Sequence, residues 1–282
     1  ASAAAIIMML IGIYQIIKNP QTTQIASTYE VLTDSLPDGS DITLNANSKV
    51  IYPKQFAKNE RRVKLEGEAF FKVEKNKDNA VAYIGGDIAH SKTDMSPELI
   101  DQLSRLFKNL SDIVPTIIIA GNHDCNLNNL NRMDCLTPIV ENLNHPNLHY
   151  LKRTGVYTCA DTDFIVWDVW DKEKDYIKAK DVPGDRTKVV LFHGTVDKCE
   201  TDLGFSLPSD VKITRFKGYD MGLLGDIHKR QHINKEETIS YCGSLVQQNH
   251  GEGLSHGYLL WDVPKRTSEY IEVKNDYGYY TL

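Results

Sequence analysis

Four short apolar runs, far apart along the chain, each stop at a cluster of Gly, Asp, Asn or His. Residues 80–84 run into Gly85-Gly86-Asp87-Ile88-Ala89-His90, and residues 116–120 into Gly121-Asn122-His123-Asp124. Residues 189–192 run into His193-Gly194, and residues 221–224 into Gly225-Asp226-Ile227-His228. Short runs that are apolar on both faces read as central strands covered by other layers. Ligand-type side chains just past such strands read as a site at the carboxyl edge of a sheet. Between the first two runs, Ser96 suits an N-cap and Pro97 the first helical position. Leu99, Ile100, Leu103, Leu106, Phe107 and Leu110 then recur at helical spacing, so residues 80–120 read as strand, loop, helix, strand. Apolar alternation at 164–166, 238–241, 258–263 and 270–273 adds further strands. The expected fold class is α/β, shading into α+β: a two-sheet sandwich flanked by helices.

The side chains at these strand ends suggest metal chemistry. Each residue alone would read as a turn residue or an ordinary loop histidine, and only the four clusters together point to a site. Asp, Asn and His without a thiolate suit Mn²⁺, with Fe²⁺ or Zn²⁺ as alternatives. Asp87 offers a carboxylate that can bridge two cations, Asn122 a neutral oxygen, and His193 and His228 imidazole nitrogens. Two cations about 3.5–4 Å apart clamp a phosphoryl group and activate water for in-line attack.

Composition narrows the function classes. With 41% hydrophobic and 25% charged residues, the chain is neither disordered over its length nor a multi-span membrane protein. A net charge of −6 argues against a protein that coats nucleic acid, but not against an enzyme with a narrow cleft. The five cysteines are odd in number, lack CxxC spacing and all lie beyond residue 124, as expected of free thiols in a reducing compartment.

The first 80 residues differ in character. Residues 2–17 carry no charge, and residues 1–20 are expected to form an apolar helix and a membrane span. Pro37-Asp38-Gly39-Ser40 is turn chemistry. Ile42, Leu44 and Ala46 alternate with polar neighbours, Asn45, Asn47 and Ser48 mark a second turn, and Val50, Tyr52 and Phe56 follow. Residues 63–73 alternate without interruption, predicting one long strand with a wet face.

Two resemblances attach to these residues. LPDGSDITLNANSKVIYPKQF, followed by RRVKLEGEAFFKVEK, resembles the periplasmic core of FecR-type anti-sigma regulators over residues 1–77. This resemblance implies a membrane-linked β module, here residues 21–78 and truncated. GGDIAH, GNHD, LFHG and GDIH resemble the second to fifth motifs of the calcineurin-like metallophosphoesterases. YCGSLVQQNHGE and HGYLLWDV bring residues 81–282 closest to the SbcD-type recombination nuclease subunit. That resemblance implies a phosphodiesterase domain over residues 79–282 using two divalent metal ions, most simply Mn²⁺. Its substrate would be DNA or another phosphodiester, and its partner an ATPase subunit of the SbcC type.

By the same resemblance, Asp87 bridges the metals, Asn122, His193 and Asp226 complete the second site, and His228 serves the first. His123 acts on the leaving oxygen with Asp124 holding its ring, and His90, Lys229 and Arg230 face substrate. Asp226 stands where the family has His. The family's Asp-x-His on the opening strand has no counterpart before Asp87, so the domain is expected to lack its first strand and motif. The first metal would then keep two protein ligands where catalytic zinc sites typically keep three, and reduced activity is expected. The chain reads as a chimera joined near residues 76–80. The phosphoesterase part is expected in the cytoplasm, with an inner-membrane anchor through residues 2–17. The competing expectation is a membrane-anchored FecR-type regulatory protein whose enzyme-like half is silent.

Overall fold

The computed structural model of the chain describes residues 22–56, 61–72, 80–275 and 278–279. The expected apolar helix at 1–20 lies outside them. Among the described residues, no helix is long and apolar enough to cross a membrane. The chain divides into two compact units, Ala1–Asp78 and Asn79–Leu282.

In unit 1 the strands are β1 (Thr22–Ala26), β2 (Leu32–Ser35), β3 (Asp41–Leu44), β4 (Lys49–Pro53), β5 (Lys64–Glu66) and β6 (Ala69–Lys72). They form two three-stranded antiparallel sheets, β1-β4-β5 and β2-β3-β6. Ile42, Leu44, Val50 and Tyr52 bury their side chains in one core with Ile25 and Leu36, as the alternation predicts. The Pro37–Ser40 turn closes with Leu36 N donating to Ser40 O at 2.7 Å.

The long strand expected at 63–73 is two strands in different sheets. Gly67, at φ 95°, breaks it. A side chain there would collide with Ser48, whose hydroxyl accepts from Glu68 N at 2.9 Å. Beyond that turn β5 pairs with β4 and β6 with β3, so Leu65 stays exposed while Ala69 and Phe71 pack on the core. Alternation cannot see this, because a glycine at an inward position keeps the period intact.

Unit 2 carries β7 (Ala82–Ile84), α1 (Pro97–Ile113), β8 (Thr116–Ile118), α2 (Thr137–Leu143), β9 (Leu148–Tyr150), β10 (Gly155–Cys159) and β11 (Thr162–Trp167). It continues with β12 (Thr187–His193), β13 (Met221–Gly225), β14 (Gln231–His232), β15 (Ile239–Tyr241), β16 (Gly257–Asp262) and β17 (Thr267–Glu272). β7-β8-β9 is a parallel sheet, β10-β11-β12-β13-β15-β14 is a mixed six-stranded sheet, and β16-β17 is a hairpin. The four apolar runs are β7, β8, β12 and β13, all with parallel neighbours. Ser96 caps α1 by accepting from Leu99 N at 3.2 Å.

The central strands are apolar because both faces are covered. On β11 and β12, Phe164, Val166, Val189 and Leu191 meet Ile117 and Ile119 of the smaller sheet's layer. On the opposite face Ile165, Trp167, Val190 and Phe192 join Tyr176, Phe216 and Tyr241. Trp167 stacks on Tyr176 with ring centres 5.0 Å apart, so it is core and not a base-stacking platform. The other face of β8 and β9 is covered by Leu103 and Phe107 of α1 and Ile139 of α2. Unit 2 is thus a mixed α/β body, mostly strand, with its helices on the smaller sheet.

A buried carboxylate starts α2. Asp134 accepts from Leu136 N, Thr137 N and the Thr137 hydroxyl, and pairs with Lys152 at 2.7 Å. Burial alone would raise its carboxyl, but Lys152 and Thr137 outweigh that and hold it below the usual range. Asp134→Asn is expected to cost about 2 kcal/mol near neutral pH, with Lys152 partly exposed. Because the folded value is depressed, this stability is present above the unfolded value of about 3.9 and is lost as pH falls through the folded one. Urea unfolding at about pH 7 and at successively lower pH should show the deficit and then its decline.

Candidate metal centre

The ends of β7, β8, β12 and β13 bring four side chains together. His193, the last residue of β12, is buried, with its Nδ1 2.6 Å from the Gly85 carbonyl oxygen. A carbonyl only accepts, so Nδ1 carries the proton and Nε2 is the lone-pair nitrogen. That nitrogen lies 3.0 Å from Asn122 Oδ1, 3.3 Å from Asp87 Oδ1 and 3.8 Å from Asp226 Oδ1. Ligand atoms of Asp87, His193 and Asp226 all lie within 4.8 Å of one another. The loop after β7 supplies Asp87, that after β8 supplies Asn122, and that after β13 supplies Asp226.

Local backbone geometry aims the two carboxylates. Asp87 and Asp226 sit at φ 52° and 92°, conformations that side chains other than glycine adopt at a cost. Asp87 is held by the His123 amide, which donates to its Oδ1 at 2.9 Å. Asp226 is held by the Thr195 hydroxyl, which donates to its Oδ2 at 3.1 Å.

The donor set decides what fits between them. One nitrogen lone pair and three oxygens converge, and no Lys or Arg forms an ion pair with Asp87 or Asp226 among the described residues. Acceptors facing acceptors are poorly paired unless a cation or a proton lies between them. Burial opposes charge on the His193 ring, but the Asp87 and Asp226 carboxylates and the Gly85 carbonyl outweigh it and push His193 above its ordinary value. In return, His193 and the His123 amide outweigh burial at Asp87 and hold its carboxyl low. The set is one that a borderline divalent ion fills.

Asp124 does not hold the ring of His123, contrary to the sequence expectation. It is fully buried, and its carboxylate accepts from Ile88 N at 3.0 Å, Ala89 N at 2.9 Å and Gly121 N at 2.9 Å. It pins the Asp87 loop to the Gly121 turn. Burial pushes its carboxyl up to about 6, the Ala89 and Gly121 amides pulling against this and the Asp87 charge adding to it. The His123 ring is held by His90 instead: Nδ1 donates to the His90 carbonyl at 3.1 Å and the two rings stack with centres 5.6 Å apart.

Three other expected residues lie outside the cluster. His228 is not among the converging ligands, and its Nδ1 is bonded to Glu252 at 2.7 Å. Lys229, expected at phosphate, pairs with Glu200 at 3.0 Å, and the Arg230 guanidinium lies 3.7 Å from the Tyr270 ring centre. A cation that the motifs did not single out touches the backbone of one of the four: Lys92 Nζ donates to the Asn122 carbonyl at 3.2 Å. Thr195 and Lys92 escaped sequence reasoning because each acts on a motif residue 30 or 31 positions away, and Glu252 ends the YCGSLVQQNHGE segment without its contact to His228, 24 positions away, being visible there.

Comparison with known proteins bears on both units. The family described as FecR protein matches residues 23–102, starting after the apolar segment and running beyond Asp78 into β7 and α1. The FecR resemblance is thus upheld, with limits other than the expected 1–77. A protein of Acanthamoeba polyphaga mimivirus, described as "Uncharacterized protein R555", is 43% identical over 223 residues. That match takes in 75% of this chain and 16% of the relative, so the chain spans about a sixth of that relative's length. Three quarters of the chain is far longer than unit 1, so the likeness runs through most of unit 2.

Proposed function

We propose that unit 2 is a metal-dependent phosphodiester hydrolase of the calcineurin-like metallophosphoesterase kind, with DNA as its substrate. The reading rests on one observation: Asp87, Asn122, His193 and Asp226, from four separate strand ends, turn their ligand atoms on a common point. Those four residues would hold one divalent cation, Mn²⁺ by donor chemistry, with Fe²⁺ and Zn²⁺ also accommodated. A second would share Asp87 and take His228, the weaker site. Bound cations supply Lewis acidity to a phosphoryl oxygen and lower the pKa of a water.

The chain's own groups do the rest. His123 N–H fixes Asp87, and the commitment of His123 Nδ1 to the His90 carbonyl leaves Nε2 for the leaving oxygen. Lys92, beside the Asn122 carbonyl, takes the phosphate-neutralising part first expected of Lys229 and Arg230. A cytoplasmic setting and an SbcC-type ATPase partner belong to the same proposal.

The test is hydrolysis of bis(p-nitrophenyl) phosphate with added Mn²⁺. His123→Ala should lower turnover by about 10²–10⁴-fold while Mn²⁺ affinity stays within about twofold. Absence of any Mn²⁺-dependent turnover in the unaltered chain would sink the proposal. A second reading, a membrane-anchored FecR-type regulator with a silent second unit, is favoured by the FecR match. It predicts membrane retention through residues 2–17 and no cation binding.

A further inference from the structure

Glu252 is a carboxylate that no part of the chemistry above uses. Its side chain is 4% exposed, yet it pairs with no Lys or Arg among the described residues. A carboxylate taken out of water is tolerated only when its lone pairs are met by donors. Oε1 accepts from His228 Nδ1 at 2.7 Å and from Asn249 Nδ2 at 2.7 Å, and Oε2 accepts from Gln248 N at 2.7 Å.

The surrounding segment is built to keep this contact. His228 O accepts from Ser244 N at 3.1 Å, joining the backbone after β15 to the backbone after β13. Buried His256 lies 3.0 Å from the Ser244 hydroxyl and 3.1 Å from the Ser244 carbonyl oxygen through Nδ1, and 2.7 Å from the Gly253 carbonyl oxygen through Nε2. The chain from 244 to 256 therefore wraps Glu252 against a ring whose own side chain is 45% exposed.

The donor–acceptor roles have a chemical consequence. An ionised carboxylate only accepts, so Nδ1 of His228 must carry the ring proton. Nε2 is then the lone-pair nitrogen, while the Nδ1 side is anchored by a buried group. His193 reaches the same tautomer through the Gly85 carbonyl. We propose that Glu252 is a positioning residue that fixes the tautomer and direction of His228, so that Nε2 is left free to serve as a divalent-cation ligand. The ligand part rests on the proposed metal-dependent function; the tautomer part does not.

The experiment uses the full chain with two readouts. Long-range ¹H–¹⁵N NMR at about pH 8 reports which His228 nitrogen is protonated, without metal. Calorimetric titration with Mn²⁺ reports the number of sites and the Kd of each, with His228→Ala assigning the site that depends on the ring. The expected result is Nδ1–H in the unaltered chain and reversion in Glu252→Ala to the Nε2–H form that free histidine favours. Glu252→Ala should also raise the Kd of the His228-dependent site by about 10–100-fold, leaving the other within about twofold. Glu252→Gln, which keeps an acceptor for Nδ1–H and preserves packing should truncation unfold the segment, is expected to restore part of both.

An Nε2–H ring in the unaltered chain overturns the proposal. So does a His228-dependent Kd that stays within twofold in Glu252→Ala. Nδ1–H without any Mn²⁺ binding overturns the ligand role and the metal-dependent reading together, and is told apart from the first failure by the NMR result.

Discussion

Asp87→Asn is expected to remove Mn²⁺-dependent turnover, by about 10³-fold or more, equivalent to about 4 kcal/mol of transition-state stabilisation. The change keeps side-chain volume and an oxygen to accept the His123 amide. It removes the charge on the oxygen that lies 3.3 Å from His193 Nε2. Under the proposed function this is also the one carboxylate shared between two cations, so neither site survives its neutralisation. Folding should persist, because a like charge facing Asp226 disappears at the same time. Calorimetry with Mn²⁺, turnover on a diester and a thermal melt separate these effects. A variant that keeps turnover within about tenfold would end the metal-centred account of unit 2.

Gly121→Ala is expected to be nearly as severe by a different route. A Cβ at this position would lie 2.1 Å from Asp87 Oδ1, 2.3 Å from the Asp87 amide nitrogen and 2.7 Å from His193 Cε1. The second of these is backbone, which has no rotamer to escape into. The added methyl must push the Asp87 loop away from the β8 loop, against the Asp124 carboxylate that ties both. Loss of cation binding is expected together with about 3 kcal/mol of destabilisation. Urea unfolding and Mn²⁺ titration on the same preparation would show both. Retention of the native Kd would mean that the loops approach less closely than described.

The two variants also show why part of the site was legible from sequence and part was not. His193 ends an apolar strand, and Asp87, Asn122 and Asp226 lie within four residues of the end of one, so the strand ends fix roughly where all four lie. Ser96 and Pro97 announced α1 for the same reason: the signal and its effect lie within one turn. The resemblance gave Asp124 the ring of His123 to hold, whereas its buried carboxylate turns towards amides at positions 88, 89 and 121. Lys229 and Arg230 follow His228 in sequence, but they are drawn off by Glu200 and Tyr270, partners that no spacing reveals. In unit 1 the same limit hid the break at Gly67, where a contact with Ser48 decides the register.

Of the converging ligands, two hang from the parallel three-stranded sheet and two from the six-stranded one. An ion gripping all four would therefore act as a rivet between layers that otherwise adhere through apolar packing and the His193–Gly85 hydrogen bond. Its grip would be felt throughout unit 2 as resistance to heat: at a free concentration a hundred times Kd, about 2.7 kcal/mol. Occupancy of the centre could then be followed by melting temperature alone, in preparations where no reaction is being monitored.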